Sequence, residues 1–321
     1  MNADILIRAA GGVGLPLAYV ALASMLPATA RAQDSVLDEI TVTAQKREES
    51  ALEVPVTVDV FTDKDIEETG ALNLAEMQDF IPGFEVGSNP TQASITIRGV
   101  SSANIATGGD PSVATFYDEV YVPRAATTAT FTDLQRVEVL KGPQGTLYGR
   151  NAAAGVVNLV PNRPGPETDG FIRQRIGNYG LFRDELMGNA ALSDKFFVRG
   201  NQFHNKRDGY LENLVAGERN GGKQDNFAAR LSALWQISSA TDLQVSYDLD
   251  RVDNAPRPAV GLSPWAACPL DPRCGQILND VINGEETSDM CPLNAKLNHE
   301  ISDEWSFKLI SRYRAFETIN R

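Results

Sequence analysis

The chain has 321 residues, 42% hydrophobic and 22% charged, with 29 Lys plus Arg against 42 Asp plus Glu and a formal charge of −13. That length gives room for two or three ordinary domains, and the acidic balance argues against nucleic acid as a partner. No charge-free apolar run of about 18 residues follows residue 32, so no helix of the mature chain is expected to span a bilayer.

Residues 1–32 carry Arg8, the stretch AAGGVGLPLAYVALASML, and Ala30-Arg31-Ala32 ahead of Gln33, the pattern of a signal peptide cut after Ala32. Residues 33–52 are polar around one β-prone segment, EITVTA at 39–44, which suggests a tether with a single strand whose backbone an exposed sheet edge would pair. From 53 to 165 short elements divided by Gly and Pro predict a compact α+β domain. VPVTVDVFT alternates as a strand. TDKDIEETG begins at a Thr62 cap and ends at Gly70, and NLAEMQDFIPG has Asn73 and Glu76 at capping-box spacing before Pro82 stops it. Strands are expected at SITIRGV, SVATFYDEVYV, RVEVLKG and GVVNLV. KGPQGTLYGRN lacks the GK[ST] ending of a phosphate loop, and its Lys141 precedes the glycines. Gly142, Gly145 and Gly149 are therefore read as tight turns with positive φ.

Residues 170–321 change texture. In NFAARLSALWQIS, Phe227, Ala229, Leu231, Ala233, Trp235 and Ile237 share one face, and in TDLQVSYDLD, Leu243, Val245, Tyr247 and Leu249 oppose Asp242, Gln244, Ser246, Asp248 and Asp250. Strands of about ten residues with one apolar and one polar side have the dimensions of outer-membrane strands. About seven are predicted, near 170–178, 181–192, 195–207, 225–238, 241–254, 295–301 and 304–317, with tight turns alternating with long connections at 208–224 and 255–294. The long connections are assigned to the exterior, which puts Cys268, Cys274 and Cys291 in one extracellular loop. Cys268 with Cys274 is the expected disulfide, and either residue with Cys291 is the rival. No CxxC pair occurs and His204 and His299 are isolated, so no metal or cofactor site is expected.

EITVTA, IPGFEV, SITIRGV and above all RVEVLKGPQGTLYGRNAAAGVVNLVP, followed by the amphipathic strands, resemble the N-terminal part of a TonB-dependent outer-membrane receptor of the siderophore-receptor kind. The resemblance implies an α+β plug domain inside an antiparallel transmembrane β-barrel, 22-stranded in the family. It makes Glu39, Ile40, Thr41, Val42, Thr43 and Ala44 the TonB box, plug and box facing the periplasm, and TonB with ExbB and ExbD the energy source. The ligand would be a ferric siderophore or similar small nutrient, and the outer-membrane lipid surrounds the barrel. Arg98, Arg136, Glu138 and Arg150 are charges in or beside core-like strands; the resemblance implies that plug arginines meet glutamates on the inner barrel wall, and a salt bridge confined to the plug is the alternative. Outward plug loops at 88–92, 101–110 and 123–131 are the expected substrate face, with Asn104, Thr107, Asp110 and Arg124 as candidates.

The domain reading is thus 1–32 signal peptide, 33–52 tether, 53–165 plug and 170–321 barrel strands. A secreted or surface β-rich binding module or enzyme is the alternative, but no GxSxG, HExxH or metal-spaced cluster supports catalysis, and a passive porin would be obstructed by the plug. Closing a family barrel would take roughly 300 further residues, so the chain is expected to be an N-terminal fragment or an interrupted reading frame.

Overall fold

The computed structural model describes residues 3–8, 41–43, 46, 49–52, 54–89, 92–102, 104, 109–127, 130–215, 217–255, 276–277, 286–302 and 304–320. Strand β1 (Ala3–Arg8) joins the large C-terminal sheet. Next come β2 (Thr41–Val42) and β3 (Glu49–Ser50), which pair only with each other.

The α+β domain starts at β4 (Thr57–Thr62) and runs directly into α1 (Asp63–Thr69). Thr62 caps this helix with the reciprocal Asp65 bond of a capping box, and Gly70 ends it at φ 67°, a conformation glycine adopts without a Cβ penalty. Asn73 caps α2 (Leu74–Met77) through Ala75 and Glu76, whereas the Glu76 carboxylate reaches back to the Leu72 amide and not to its own cap residue. A 3-10 turn over Gln78–Phe80 follows. A hairpin of β5 (Phe84–Asn89) and β6 (Gln92–Ile97) occupies most of the loop expected at 88–92. The single strand predicted over 112–122 is itself a hairpin, β7 (Val113–Tyr117) and β8 (Val120–Val122), because Asp118 and Glu119 both take positive φ, 52° and 67°, as a type I′ turn requires. Then come β9 (Leu134–Lys141), the one-turn α3 (Gly145–Tyr148) and β10 (Gly155–Pro161). Of the three glycines around α3, Gly142 and Gly149 have positive φ and Gly145 does not, since it opens the helical turn.

These strands form a five-stranded sheet in the order β4-β9-β10-β7-β8, parallel only between β10 and β7. One face packs Val137, Val139, Val157 and Leu159 against Leu74, Met77 and Ile97, while the other packs Leu140, Val156 and Ala114 against Val42. Because both faces are covered, β9 and β10 are buried along almost their whole length, β10 as a nearly continuous apolar run and β9 with Arg136, Glu138 and Lys141 buried among its apolar residues.

Residues beyond 168 build an antiparallel sheet from β11 (Asp169–Ile176), β12 (Phe182–Ser193), β13 (Phe196–Arg207), β16 (Gln224–Ser238), β17 (Thr241–Asn254), β19 (Glu286–Ser302) and β20 (Trp305–Asn320), in that spatial order. Short strands β14 (Leu211–Asn213), β15 (Glu218–Gly221) and β18 (Gln276–Ile277) tie the two long connections together at one end. Strand β1, which falls within the segment expected to be cut away after Ala32, lies antiparallel along the outer edge of β11 in the uncut chain. The sheet buries its polar face and exposes its apolar one: Arg230 is 3% exposed and Ser232 1%, against 64% for Leu231 and 50% for Trp235. Trp235, Trp305 and Phe307 are exposed near the tight-turn end of this apolar face, Phe182 and Phe227 near the other, and Tyr247 and Tyr313 between them.

Strand β19 begins well before the expected residue 295. Pro292 argues against a strand there, but it is accommodated where the ladder to β17 lapses, between the Tyr247–Leu293 and Asp250–Met290 pairs, with the register kept on both sides. Cys291 therefore sits in a strand opposite Ala315 and not in the long loop, and it is a free thiol. Cys268 and Cys274 lie outside the described residues.

Candidate functional site

The α+β domain meets the inner face of the sheet through the Asp118–Glu119 turn. Non-glycine residues pay about 1–2 kcal/mol each for left-handed backbone, and no other described pair of neighbouring residues does so together. The sheet supplies what offsets it. Asp118 Oδ1 accepts from Lys296 Nζ at 2.7 Å, and its Oδ2 from an Arg230 guanidinium nitrogen at 2.8 Å and Asn294 Nδ2 at 2.9 Å. Glu119 accepts from Lys296 at 2.9 Å and Lys308 at 2.8 Å. Burial alone would raise the Asp118 carboxyl, but Lys296 and Arg230 over-compensate and hold it well below the usual carboxylate range; Glu119 is lowered too, burial being outweighed by Lys296 and Lys308.

Around this turn the seam is continuous. The Tyr117 hydroxyl donates to Asp248 at 3.1 Å and accepts from Arg230, the Tyr117 ring lies 5.5 Å from both the Arg230 and Arg312 guanidinium centres, and Arg312 donates to the Tyr117 carbonyl. Burial pushes the Tyr117 hydroxyl upward, so it stays neutral. Arg314 caps the Tyr121 carbonyl, the Thr130 amide donates to Asp250 at 2.8 Å, Arg199 grips Asp133 through two bonds of 2.6 Å, and Arg173 bridges Glu67 and Glu185. A cavity of about 420 Å³ lies between α1 and the inner faces of β11 to β13, with Glu67, Arg173, Arg183 and Arg199 in its lining.

At Glu67, Asp118, Glu119 and Asp133 the polarity of this seam reverses the sequence expectation, the domain supplying the carboxylate and the wall the cation, whereas Arg163 at the end of the domain pairs with Asp242 of the wall at 3.1 Å in the expected sense. None of Arg98, Arg136, Glu138 and Arg150 takes part. Arg136 pairs within its own strand with Glu138 at 2.8 Å, since alternate residues of β9 share a face; Arg150 is exposed and faces Asp110 at 3.4 Å; and Arg98 is exposed, at φ 51° in a turn. The signal that was available is the Asp118-Glu119 pair itself, two charges interrupting a run of β-formers.

The substrate candidates are also redistributed. Arg124 is buried, and its guanidinium donates to the carbonyls of Ala93, Asn104 and Gly109, so it props the apical loops from beneath and does not face outward. Asn104 and Asp110 are exposed on the loop it supports, and Thr107 lies outside the described residues. Of the 39–44 segment, Thr41, Val42 and Thr43 are described and are not free: Thr41 and Val42 pair with Ser50 and Glu49, Val42 is fully buried, and Thr43 bonds Glu138. Glu39, Ile40 and Ala44 lie outside the described residues. Among the described residues no group of side chains is arranged to hold a metal ion.

Residues 50–156 match the family model of the TonB-dependent receptor plug domain. The pesticin receptor of Yersinia pestis is 33% identical over 184 residues, 56% of this chain and 27% of that protein, and the vitamin B12 transporter BtuB of Vibrio vulnificus is 35% identical over 155 residues, 45% of this chain and 24% of the transporter. Among solved structures, the ferric yersiniabactin uptake receptor FyuA of Yersinia pestis superposes with a TM-score of 0.73 at 21% identity, over 83% of this chain and 41% of the receptor, and the ferric-catecholate import receptor Fiu of Escherichia coli with 0.68 at 20%, over 87% and 42%. The chain spans about a quarter of the length of the curated relatives it matches. Residues 50–156 thus carry a TonB-dependent receptor plug domain, and that domain together with the antiparallel strands that follow it has the fold of the solved receptors.

Proposed function

We propose that this chain is the plug and first wall of a receptor that imports a scarce nutrient chelate across the outer membrane, a ferric siderophore being the favoured class. The carrying observation is the plug held by buried ion pairs against a sheet whose far side is apolar and aromatic. A folded domain seated inside a lipid-facing wall serves as a stopper, and a stopper is useful only if it can be displaced. A soluble binding module or enzyme would not expose Leu231, Trp235 and Trp305 on one continuous face. The relative named as a catecholate siderophore receptor and the neighbours named for ferric yersiniabactin and ferric catecholates support an iron chelate over a sugar. In this reading residues 1–32 direct export, 39–44 engage TonB, and the loops near Asn104, Thr107 and Asp110 meet the ligand, with Arg124 as their prop. The energy comes through TonB, ExbB and ExbD, and Cys268 with Cys274 closes an external loop.

The test is uptake of radiolabelled iron, supplied as yersiniabactin or catecholate chelates, by iron-starved Gram-negative cells that carry the whole receptor as their sole siderophore receptor. Proline at Ile40 removes a ladder donor from the coupling strand, so energised uptake is expected to fall to background while surface binding of the chelate persists. Uptake that survives Ile40→Pro contradicts the coupling role.

A further inference from the structure

Glu138 is the one charged side chain described as fully buried, at 0% exposure, and the seam with the barrel does not use it. It lies mid-strand in β9 on the plug face that packs Val42. Its carboxylate accepts from the Thr43 backbone amide at 2.8 Å, from Arg136 Nε at 2.8 Å and from Asn158 Nδ2 at 3.0 Å, and the Thr43 hydroxyl sits 3.0 and 3.1 Å from its two oxygens. A carboxylate only accepts, so every donor around it is oriented inward. The Tyr148 hydroxyl donates to the Thr43 carbonyl at 3.0 Å, so both backbone groups of Thr43 are occupied by the plug. Val42 is packed beside them with Val54, Leu140 and Val156.

Strand addition by a partner needs free backbone amides and carbonyls along the captured segment. The Thr43 amide has one proton and gives it to Glu138, and the Thr43 carbonyl is taken by Tyr148. We infer that Glu138 is a latch that withholds the 39–44 strand from its periplasmic partner. For the partner to add a strand through residue 43, Thr43 must leave the carboxylate and Val42 must leave the apolar cluster. Arg136 and Asn158 remain to satisfy Glu138 when Thr43 departs, so release does not strand a bare buried charge. The latch rests on reading 39–44 as the partner-binding strand.

The test uses the whole receptor in detergent and the purified C-terminal domain of TonB as probe. Glu138→Gln removes the charge that strengthens the Thr43 amide bond and turns one acceptor oxygen into a donor, so the hold on Thr43 is weakened. Hydrogen exchange in a peptide covering residues 41–46 is expected to quicken about tenfold or more, and the TonB domain to bind about tenfold more tightly, while a peptide from β9 exchanges as in the wild type. Unchanged exchange at 41–46 together with unchanged binding overturns the latch. Ile40→Pro separates the two readings. If it abolishes binding while Glu138→Gln alters nothing, the strand reading stands and the latch alone falls; if it binds like the wild type, both fall. Should Glu138→Gln also loosen β9, Thr43→Val decides by exchange at 41–46, because it removes only the hydroxyl donor: faster exchange supports the latch and unchanged exchange rejects it.

Discussion

In β9 of the plug, Val137, Val139 and Leu140 are buried in an apolar core, whereas in β16 of the wall Arg230 and Ser232 are buried and Leu231 and Trp235 face outward. Both strands obey the same two-residue period. What differs is the medium on each side: the plug sheet is covered on both faces by its own protein, and the wall has lipid-compatible side chains outside and a polar plug inside. Alternation therefore establishes that a strand has two faces, and only the partner establishes which one is the interior. The seam shows the consequence, because polar residues on a buried wall must be matched one by one, as Asp118 is by Lys296, Arg230 and Asn294.

The contrast can be broken most forcefully at that turn. Asp118→Asn leaves Arg230 and Lys296 facing a neutral amide within a buried network, and breaking such a pair costs about 3–5 kcal/mol. In the whole receptor this is expected as early release of the plug in a urea titration followed by hydrogen exchange of β7 and β8, with the wall strands retained. A smaller effect is expected on the opposite face of the same wall. Leu231→Arg places a cation toward lipid at a cost of about 2–4 kcal/mol near the bilayer centre, read as a lower urea midpoint for folding into phospholipid vesicles. If Leu231→Arg is neutral there, that face does not meet hydrocarbon.

Acid gives the gentlest perturbation. Asp118 and Glu119 are held below their ordinary values of 3.8 and 4.5, so the folded, docked state binds fewer protons than the unfolded one. Their contribution is complete above pH 4.5 and is lost as the pH falls below 3.8 toward the lowered folded values. Plug exchange is expected to accelerate in that acid range and to be flat from there to neutrality. In Asp118→Asn the acid response is expected to shrink.

Much of this was legible in the sequence. The strands of the wall end within a few residues of their predicted limits wherever alternation runs unbroken, as in β16 and β17, and the α1 cap follows from Thr62, Asp65 and Gly70 alone. Three features were not. The β7–β8 turn has no Asn-Gly or Asp-Gly signature, because its left-handed backbone is stabilised by lysines far along the chain rather than by its own residues. The early start of β19 was hidden by Pro292, which the sheet tolerates at one ladder lapse. The pairing of charges was misread because spacing identifies a charge in a strand but not its partner: Glu138 meets Thr43 from 95 residues away, and Asp118 meets Lys296 from 178. Arg124 illustrates the same limit, a lone cation in a polar loop that turns inward to serve three carbonyls.

The most direct test of how the plug is held is a double-mutant cycle in the whole receptor, Asp118→Asn and Lys296→Gln alone and together, with plug stability read from hydrogen exchange of β7 and β8. Direct contact in a buried network predicts a coupling of about 1 kcal/mol or more, the double mutant losing clearly less than the sum of the singles. Losses that add within about 0.5 kcal/mol would contradict the clamp and show that the plug is retained by other contacts.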